Sequence, residues 1–287
     1  MNPFQMITDS CCDFTRERYA RRNVAWAPLT FRFRDEEFTN FSEDDQLKAF
    51  YDQLRAGHTG TTAAVNPERW ADTMRPFLEK GEDILCLTFS SALSATAQSA
   101  RIAAEELREH FPERKIIVID TLCAALGQGL LVELACRQRD QGKSLEETAQ
   151  WVERNKLHLA HWVTVDDLDH LKRGGRIGAA TALVGGMLNI KPIIHVDNSG
   201  ALVNVGKCRG RKAAIEHLAK QLAEDITDFE TIAIAHGDCP EDAAFLEARI
   251  RTLCPRVKEV ITGYVGGVIG AHTGPGVLAL FYLGRKR

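Results

Sequence analysis

Short apolar segments that alternate with helical patterns constrain the fold of this chain more than any other feature of its first half. The segments are residues 6–8, 26–33, 84–89 and 116–120. Because most of their side chains are apolar, strands formed by them must be buried on both faces, as in a parallel sheet that helices cover on each side. The sequence therefore predicts an α/β fold with a three-layer α/β/α lobe built on a mostly parallel sheet.

Serine-led patterns between these segments mark where helices begin. Ser42 opens Ser-Glu-Asp-Asp, and Ser144 opens Ser-Leu-Glu-Glu. In both patterns the serine hydroxyl and the carboxylate three residues later can satisfy amides at a helix start. We expect a helix to begin directly after each serine.

The pattern of predicted secondary structure changes after about Lys156. Strand-like segments follow at residues 161–165, 192–196, 201–205, 231–235, 260–265 and 277–283. Residues 197–200, Asp-Asn-Ser-Gly, stand between two of them and have the chemistry of a hairpin turn, which joins antiparallel strands. We expect a smaller α+β lobe with a mostly antiparallel sheet, and domains at residues 1–157 and 158–287.

Length and composition limit the kind of protein this is. A chain of 287 residues with no flexible linker should form two closely packed lobes, and ligands favour the clefts between such lobes. A net charge of −3 gives no overall positive field, which argues against binding of nucleic acid. The chain has no run of about 18 apolar residues and no leader-like amino terminus, so we expect a cytoplasmic protein with no integral membrane segment.

The cysteines give little support for a metal or redox site. All 8 are scattered through the chain, and Cys11 and Cys12 are adjacent, which suits neither a zinc knuckle nor a CxxC motif. We interpret them as reduced thiols that mostly fill the core, with metal ligation as the alternative. No bound metal is predicted.

A serine-rich segment gives the strongest indication of a binding site. The predicted strand at residues 84–89 runs directly into Ser90-Ser-Ala-Leu-Ser94, and residues 95–110 have the composition of a long helix. Ser94 is therefore expected at or beside the N-cap, where unpaired amides and roughly half a positive charge can hold an anion. The alternative is that Ser94 only caps its own helix.

Two further segments carry groups that can bind an anion. Thr61 and Thr62 lie before Pro67, which we expect in the first turn of a helix, and their hydroxyls can donate to a ligand. His272 lies in the glycine-rich residues 263–276, which we expect to form a loop that allows close backbone approach. The alternatives are local hydroxyl-to-backbone turns for the threonines and a structural role for the histidine.

Basic residues surround a pair of glycines in the second half. The segment Arg173-Gly-Gly-Arg176 lacks the spacing of a phosphate-binding P-loop, and its glycines are expected to end a helix. If exposed, the cations would form a local basic patch, with an ordinary solvated surface as the alternative. The residues of this predicted patch are Arg173, Arg176, Lys207, Arg209 and Arg211.

Taken together, eight segments resemble the DegV family of bacterial fatty-acid-binding proteins, and the resemblance spans essentially the whole chain. They are Ile7-Thr-Asp-Ser10, Ala27-Pro-Leu-Thr30, residues 90–99, Val118-Ile-Asp-Thr121, residues 168–177, residues 188–193, Lys207-Cys-Arg209 and residues 270–276. The family fold is an α/β lobe joined to a smaller α+β lobe. The resemblance implies a buried acyl chain whose carboxylate lies near the junction of the lobes.

The same resemblance implies roles for individual residues. It makes Thr62, Ser94 and His272 the ligands of a fatty-acid carboxylate, with possible support from Thr61, Ala95 and Gly270. It implies no cofactor and no catalytic residue, because a separate fatty acid kinase would convert the bound acid to an acyl phosphate for phospholipid synthesis. Within this reading the predicted basic patch would be the docking site for that kinase.

This sequence departs from the usual family pattern at two places. It has Ala92-Leu-Ser-Ala-Thr96 where the family usually has Gly-Leu-Ser-Gly-Thr. It has Thr62-Ala-Ala-Val-Asn66 where the family usually has Thr-Ser-Gln-Pro-Ser. Alanine adds bulk at the first place and removes a hydroxyl at the second, which bears on head-group geometry and chain-length preference.

Two other functions remain open from the sequence. A hydrolase would use Ser94 as nucleophile and His272 as base, but Ser94 is not in a Gly-x-Ser-x-Gly elbow. No acidic residue lies near His272 in the sequence to orient it. The other function is a pure interaction module whose lobe interface holds no ligand.

Overall fold

The computed structural model describes residues 3–33, 36–39, 44–166, 168–178 and 189–287. Its strands are β1 (Phe4–Asp9), β2 (Val24–Ala27), β3 (Thr30–Phe33), β4 (Glu36–Thr39), β5 (Gly60–Ala63), β6 (Asp83–Thr88), β7 (Ile116–Asp120), β8 (Leu159–Thr164), β9 (Ile190–Val196), β10 (Leu202–Arg209), β11 (Thr231–His236), β12 (Glu259–Tyr264) and β13 (Leu278–Leu283). Its α-helices are α1 (Arg16–Arg22), α2 (Asp44–Arg55), α3 (Pro67–Glu79), α4 (Thr96–His110), α5 (Ala125–Asp140), α6 (Leu145–Asn155), α7 (Asp169–Arg173), α8 (Arg211–Asp225), α9 (Pro240–Leu253) and α10 (Gly267–Thr273). Short 3-10 helices lie at Ser10–Cys12 and Lys156–His158.

The apolar segments of the first half form the predicted parallel sheet. Its strand order is β2-β1-β6-β7, and all neighbouring strands are parallel. On one face, Ile84 and Cys86 pack with Trp70 of α3 and Ala100 of α4. On the other face, Leu85 packs with residues of α5 and α6. The predicted three-layer lobe is therefore confirmed.

One predicted strand of the first half is wrong. Residues 26–33 form two strands in different sheets, because β2 pairs with β1 while β3 pairs with β4 and β5 in a small antiparallel sheet. The break falls at Pro28, which has no amide hydrogen to continue a ladder. The amide of Leu29 instead donates to the Ser10 hydroxyl at 2.9 Å.

The second half forms the predicted, mostly antiparallel sheet. Its order is β10-β9-β8-β13-β11-β12, and of its neighbouring pairs only β11 and β12 are parallel. The turn at residues 197–200 is the expected hairpin, since the Gly200 amide donates to the Asp197 carbonyl at 2.9 Å. Gly200 has φ +83°, a left-handed conformation that glycine adopts without strain.

Helix α5 lies between the two sheets and joins their cores. Its residues 125–136 are all buried, and they share one apolar cluster with both sheets. A helix covered on opposite sides needs an apolar surface almost all round, which this segment has. The predicted close packing of the lobes is therefore confirmed. The boundary between residues 157 and 158 falls in the 3-10 helix Lys156–His158 and stays a prediction.

Local sequence chemistry predicted two helix starts correctly. Ser144 and Glu147 form the capping box of α6, with each side chain accepting from the other residue's amide at 3.2 and 2.8 Å. Pro67 occupies the first turn of α3, as expected. Ser42 lies outside the described residues. In the part of the chain that is described, no helix combines the length and the apolar character needed to cross a membrane.

Candidate functional site

A cavity of about 230 Å³ lies against the inner face of the six-stranded sheet. Because side chains alternate across a strand, every second residue of the central strands faces it. These residues are His161 and Val163, Ile194 and Val196, and Val277, Ala279 and Phe281. The alternate residues of the same strands pack outward against α8 and α9.

The opposite wall of the cavity comes from the first lobe and from α10. Its apolar side chains are Leu29, Phe89, Leu93, Ala124, Val268 and Ile269. The cavity is thus enclosed mainly by apolar groups of both lobes, as sites for small apolar ligands usually are.

The three residues predicted to bind a carboxylate all line this cavity. They are Thr62, Ser94 and His272, and each is half-buried. The Thr62 hydroxyl lies 2.8 Å from Nε2 of His272, so these two side chains are hydrogen-bonded. Residues 210 positions apart in the chain therefore meet at one point of the cavity wall.

His272 does not lie in the loop that its glycine-rich surroundings predicted. It lies in the last turn of α10. In this helix the Gly270 amide donates to the Gly266 carbonyl at 2.7 Å. The glycines serve close packing here, because a Cβ on Gly267 would lie 2.7 Å from the Phe31 ring. Gly274, with φ +76°, then ends the helix.

The imidazole of His272 is neutral over the physiological range. Burial lowers its pKa to about 4, and the nearby guanidinium of Arg176 acts in the same direction. A neutral imidazole has one donor and one acceptor nitrogen. Nδ1 faces α7, since a Cβ on Gly174 would lie only 2.2 Å from it, while Nε2 faces Thr62.

Ser94 lies one residue before the N-cap of α4, as the sequence predicted. Its Oγ accepts from the Thr96 amide at 3.3 Å and lies 2.9 Å from the Thr96 hydroxyl. The N-cap itself is Ala95, which makes no side-chain cap, so Ser94 does not cap the helix as the alternative supposed but accepts from the amide of its first residue. The next amides of the first turn, those of Ala97 and Gln98, have no partner within the helix, as at any helix start. The cavity therefore borders an electropositive helix end.

Of the three supporting residues, Ala95 lines the cavity. Thr61 is not among the lining residues, and it is exposed. Gly270 is buried against α2, where an added Cβ would lie 2.7 Å from the Tyr51 hydroxyl. The roles of these residues toward a ligand stay predictions.

The predicted basic patch divides into two groups. Arg173, Lys207 and Arg209 are exposed. Arg211 is instead paired, since its Nε lies 2.8 Å from Asp242 and its Nη2 donates to a backbone carbonyl at 2.7 Å. An exposed role for Arg211 is therefore wrong, because the fold uses its charge internally.

Arg176 is a cavity residue that the sequence reasoning assigned only to the predicted patch. It is half-buried and lines the cavity, and its Nε donates to the Leu93 carbonyl at 3.2 Å. The Gly174 amide caps α7 by donating to the His170 carbonyl at 3.0 Å, which confirms the predicted helix end. The chain turns there and directs Arg176 toward Leu93. Its positive charge lies near the imidazole of His272, and no local signal in the sequence predicted its burial.

Asp9 and Ser10 support the cavity wall from behind, and the sequence reasoning gave them no role. The Asp9 carboxylate is fully buried and accepts from the amides of Phe89 at 2.7 Å and Cys11 at 3.0 Å. Burial raises its pKa to about 7, while these hydrogen bonds oppose the rise. Ser10 holds the amide of Leu29. Asp9 and Ser10 thus hold the backbone of Phe89 and Leu29, whose side chains line the cavity.

The fold and the site define a two-lobed α/β protein with an internal, mainly apolar cavity that has hydroxyl and imidazole groups in its wall. The chain belongs to the DegV family. Residues 3–285 match the model of the family described as "Uncharacterised protein, DegV family". A DegV domain-containing protein of Clostridium perfringens is 42% identical over 287 residues, which cover 99% of this chain and 98% of that protein.

Solved structures of other DegV proteins share the whole fold. A DegV family protein from Thermus thermophilus, described as fatty acid binding, is 31% identical with a TM-score of 0.86 over 98% of this chain and 99% of that one. DegV from Bacillus subtilis, described as a fatty acid binding protein, is 28% identical with a TM-score of 0.84 over 98% and 99%. The Fak B3 protein of Streptococcus pneumoniae, loaded with linoleic acid, is 24% identical with a TM-score of 0.85 over 98% and 99%, which shows a common fold.

Proposed function

We propose that this protein binds a long-chain fatty acid, with its alkyl chain in the cavity and its carboxylate at Thr62, Ser94 and His272. The observation that carries the proposal is that these three polar side chains all line one otherwise mainly apolar cavity, where Thr62 is hydrogen-bonded to His272. The described fatty-acid binding of the Thermus thermophilus and Bacillus subtilis relatives supports it.

The division of the cavity into apolar and polar parts suits such a ligand. Burying an alkyl chain contributes about 0.8 kcal/mol per methylene, so a chain of ~16 carbons offers on the order of 10 kcal/mol before costs. The head group then needs only to be oriented and kept hydrogen-bonded. Two hydroxyls, a neutral imidazole and the end of α4 supply donors, and Arg176 supplies a positive charge nearby.

We further propose that the protein performs no chemistry of its own and presents the carboxylate to a separate fatty acid kinase in the cytoplasm. The kinase would transfer a phosphoryl group from its nucleotide to a carboxylate oxygen, giving an acyl phosphate and a nucleoside diphosphate. The resemblance of the sequence to the family supports this step. The exposed cations Arg173, Lys207 and Arg209 are the proposed docking residues.

The contacts at the site argue against the hydrolase alternative. A serine nucleophile needs a base within hydrogen-bond reach. Nε2 of His272 is hydrogen-bonded to Thr62, and the Ser94 hydroxyl is hydrogen-bonded to Thr96. Ser94 and His272 are thus hydrogen-bonded to other residues and not to each other, which fits groups that bind a carboxylate better than a nucleophile and its base.

Extraction of the purified protein under denaturing conditions, followed by mass spectrometry, tests the binding proposal. We expect an intact fatty acid in near-stoichiometric amount. A second sample, mixed with acyl esters and no kinase, should show no turnover. An empty protein that also fails to gain thermal stability from added palmitate or oleate would contradict fatty-acid binding, whereas ester turnover would support the hydrolase.

A further inference from the structure

His161 and Phe281 lie together on the inner face of the six-stranded sheet. They are directly opposite each other in the antiparallel pair of β8 and β13. Both side chains line the cavity, and each residue is only 1% exposed. Their rings contact edge to face, with centroids 5.1 Å apart.

The strand directions put this pair at the end of the cavity away from the carboxylate ligands. Val277 begins the cavity-facing series of β13 soon after His272 in the chain, and Phe281 ends it four residues later. Four residues of extended strand span roughly 13 Å. The antiparallel β8 agrees, because its carboxyl end leads into α7, whose Gly174 contacts His272.

The imidazole of His161 is held at both nitrogens. Nδ1 lies 2.9 Å from the Leu159 carbonyl, and Nε2 accepts from the Ala124 amide at 3.2 Å. Such a ring must be neutral, with its hydrogen on Nδ1, and it cannot rotate without leaving a buried amide unpaired. It therefore presents a fixed carbon edge to the cavity.

Helix α5 packs directly behind this pair, so the two rings cannot move away from the cavity. A Cβ on Gly127 would lie 2.3 Å from Nε2 of His161 and 2.6 Å from the Phe281 ring. The two rings thus already touch the helix backbone behind them. An aliphatic wall can repack around a longer ligand, but this wall has neither a free rotamer nor space to move into.

We propose that His161 is a specificity-determining residue that, with Phe281, ends the acyl pocket and sets the longest alkyl chain that it accepts. The inference rests on the proposed function and deepens it. The limit on chain length comes from a fixed aromatic pair at the end of the pocket opposite Thr62 and His272. The distance between these two ends sets how many carbons fit between the carboxylate and the terminal methyl.

Competition between fatty acids tests this assignment. The full-length protein, stripped of ligand, is incubated with an equimolar mixture of laurate, myristate, palmitate, stearate and arachidate, and the bound acids are extracted and quantified by mass spectrometry. We compare the natural sequence with His161→Ala and Phe281→Leu, which enlarge the end of the pocket. Phe281→Leu leaves the hydrogen bonds of His161 untouched. Trp162→Phe, on the outer face of β8, is the matched control.

Both enlarging variants should shift the bound mixture toward longer acids, with enrichment of about fourfold for each methylene newly buried. Gly127→Ala should shift it toward shorter acids, because the new methyl pushes both rings into the pocket. Trp162→Phe should leave the distribution unchanged. Folded His161→Ala and Phe281→Leu proteins that bind the same mixture as the natural sequence, or that lose binding altogether, would overturn the assignment. A natural sequence that binds none of the acids would instead overturn the proposed function.

Discussion

Oδ2 of Asp9 accepts a hydrogen bond from the Phe89 amide at 2.7 Å, which joins the carboxyl end of β1 to that of β6 directly behind the cavity wall. The carboxyl group is fully buried, and burial raises its pKa from 3.8 to about 7. The carboxyl proton is therefore held more tightly in the folded protein than in the unfolded chain.

Asp9→Asn should flatten the dependence of stability on pH. In the natural sequence the raised pKa of Asp9 contributes stability below about pH 4, and this contribution is lost as the pH rises through about 7. The loss is on the order of a few kcal/mol in the free energy of unfolding. Urea titrations of both proteins at several pH values measure it. Parallel curves for the two proteins would show that Asp9 titrates normally.

Ser94→Ala should weaken fatty-acid binding by roughly 1 to 3 kcal/mol, the cost of leaving a buried charged acceptor without one donor. Isothermal titration with palmitate measures the change. Ser91→Ala is the matched control, since Ser91 lies in the same turn but is exposed. Equal affinities of the two variants, with both proteins folded, would remove Ser94 from the site.

Gly174→Ala should weaken fatty-acid binding through His272. The new methyl would lie 2.2 Å from Nδ1 of the imidazole, so the ring must leave its present position, in which Nε2 is hydrogen-bonded to Thr62. We expect a loss of about 1 to 3 kcal/mol in binding free energy, typical of forcing a side chain out of a packed arrangement. Gly206→Ala is the control, because its methyl would meet nothing closer than a Cβ of Ile193 at 3.9 Å. Unchanged binding by Gly174→Ala would show that fatty-acid affinity does not depend on the position of the His272 ring.

Glu133→Gln should destabilise the protein without changing which acids it binds. This buried carboxylate on α5 lies 3.3 Å from both Arg18 and Arg22 and 3.6 Å from Arg137. Removing its charge leaves three cations without their shared partner, which should lower the free energy of unfolding by roughly 3 kcal/mol. Thermal and urea unfolding measure the loss.

The control for this prediction is Glu153→Gln. Glu153 pairs with Lys156 at 2.8 Å, but its side chain is 50% exposed. A solvated pair of this kind contributes at most about 1 kcal/mol. Equal losses for the two variants would contradict the special role given to Glu133.

Features set by neighbouring residues were predictable from the sequence. Ser144 and Pro67 begin helices through contacts within four residues, and the buried strand β6 is apolar along most of its length. Ser94 was predicted beside a helix start for the same reason. The glycine-rich segment around His272 was misread as a loop, because its glycines meet Phe31 and Tyr51 from distant parts of the chain.

The rest of the site depends on contacts that local sequence does not encode. Arg176 lines the cavity only because α7 ends where Leu93 offers a carbonyl from the other lobe. Asp9 is buried only because Phe89 comes beside it in the parallel sheet. The family resemblance supplied Thr62 and His272 as a pair, which their spacing in the sequence could not have done.

The position of α5 has a consequence for how this protein can be divided. Since both sheets use the same buried helix as part of their core, a fragment that ends at residue 157 would expose the side of α5 that the six-stranded sheet covers. Such a fragment should aggregate instead of folding alone, and the intact chain should unfold in a single cooperative transition. Neither half could therefore be replaced by a different fold unless the residues of α5 that face it also changed.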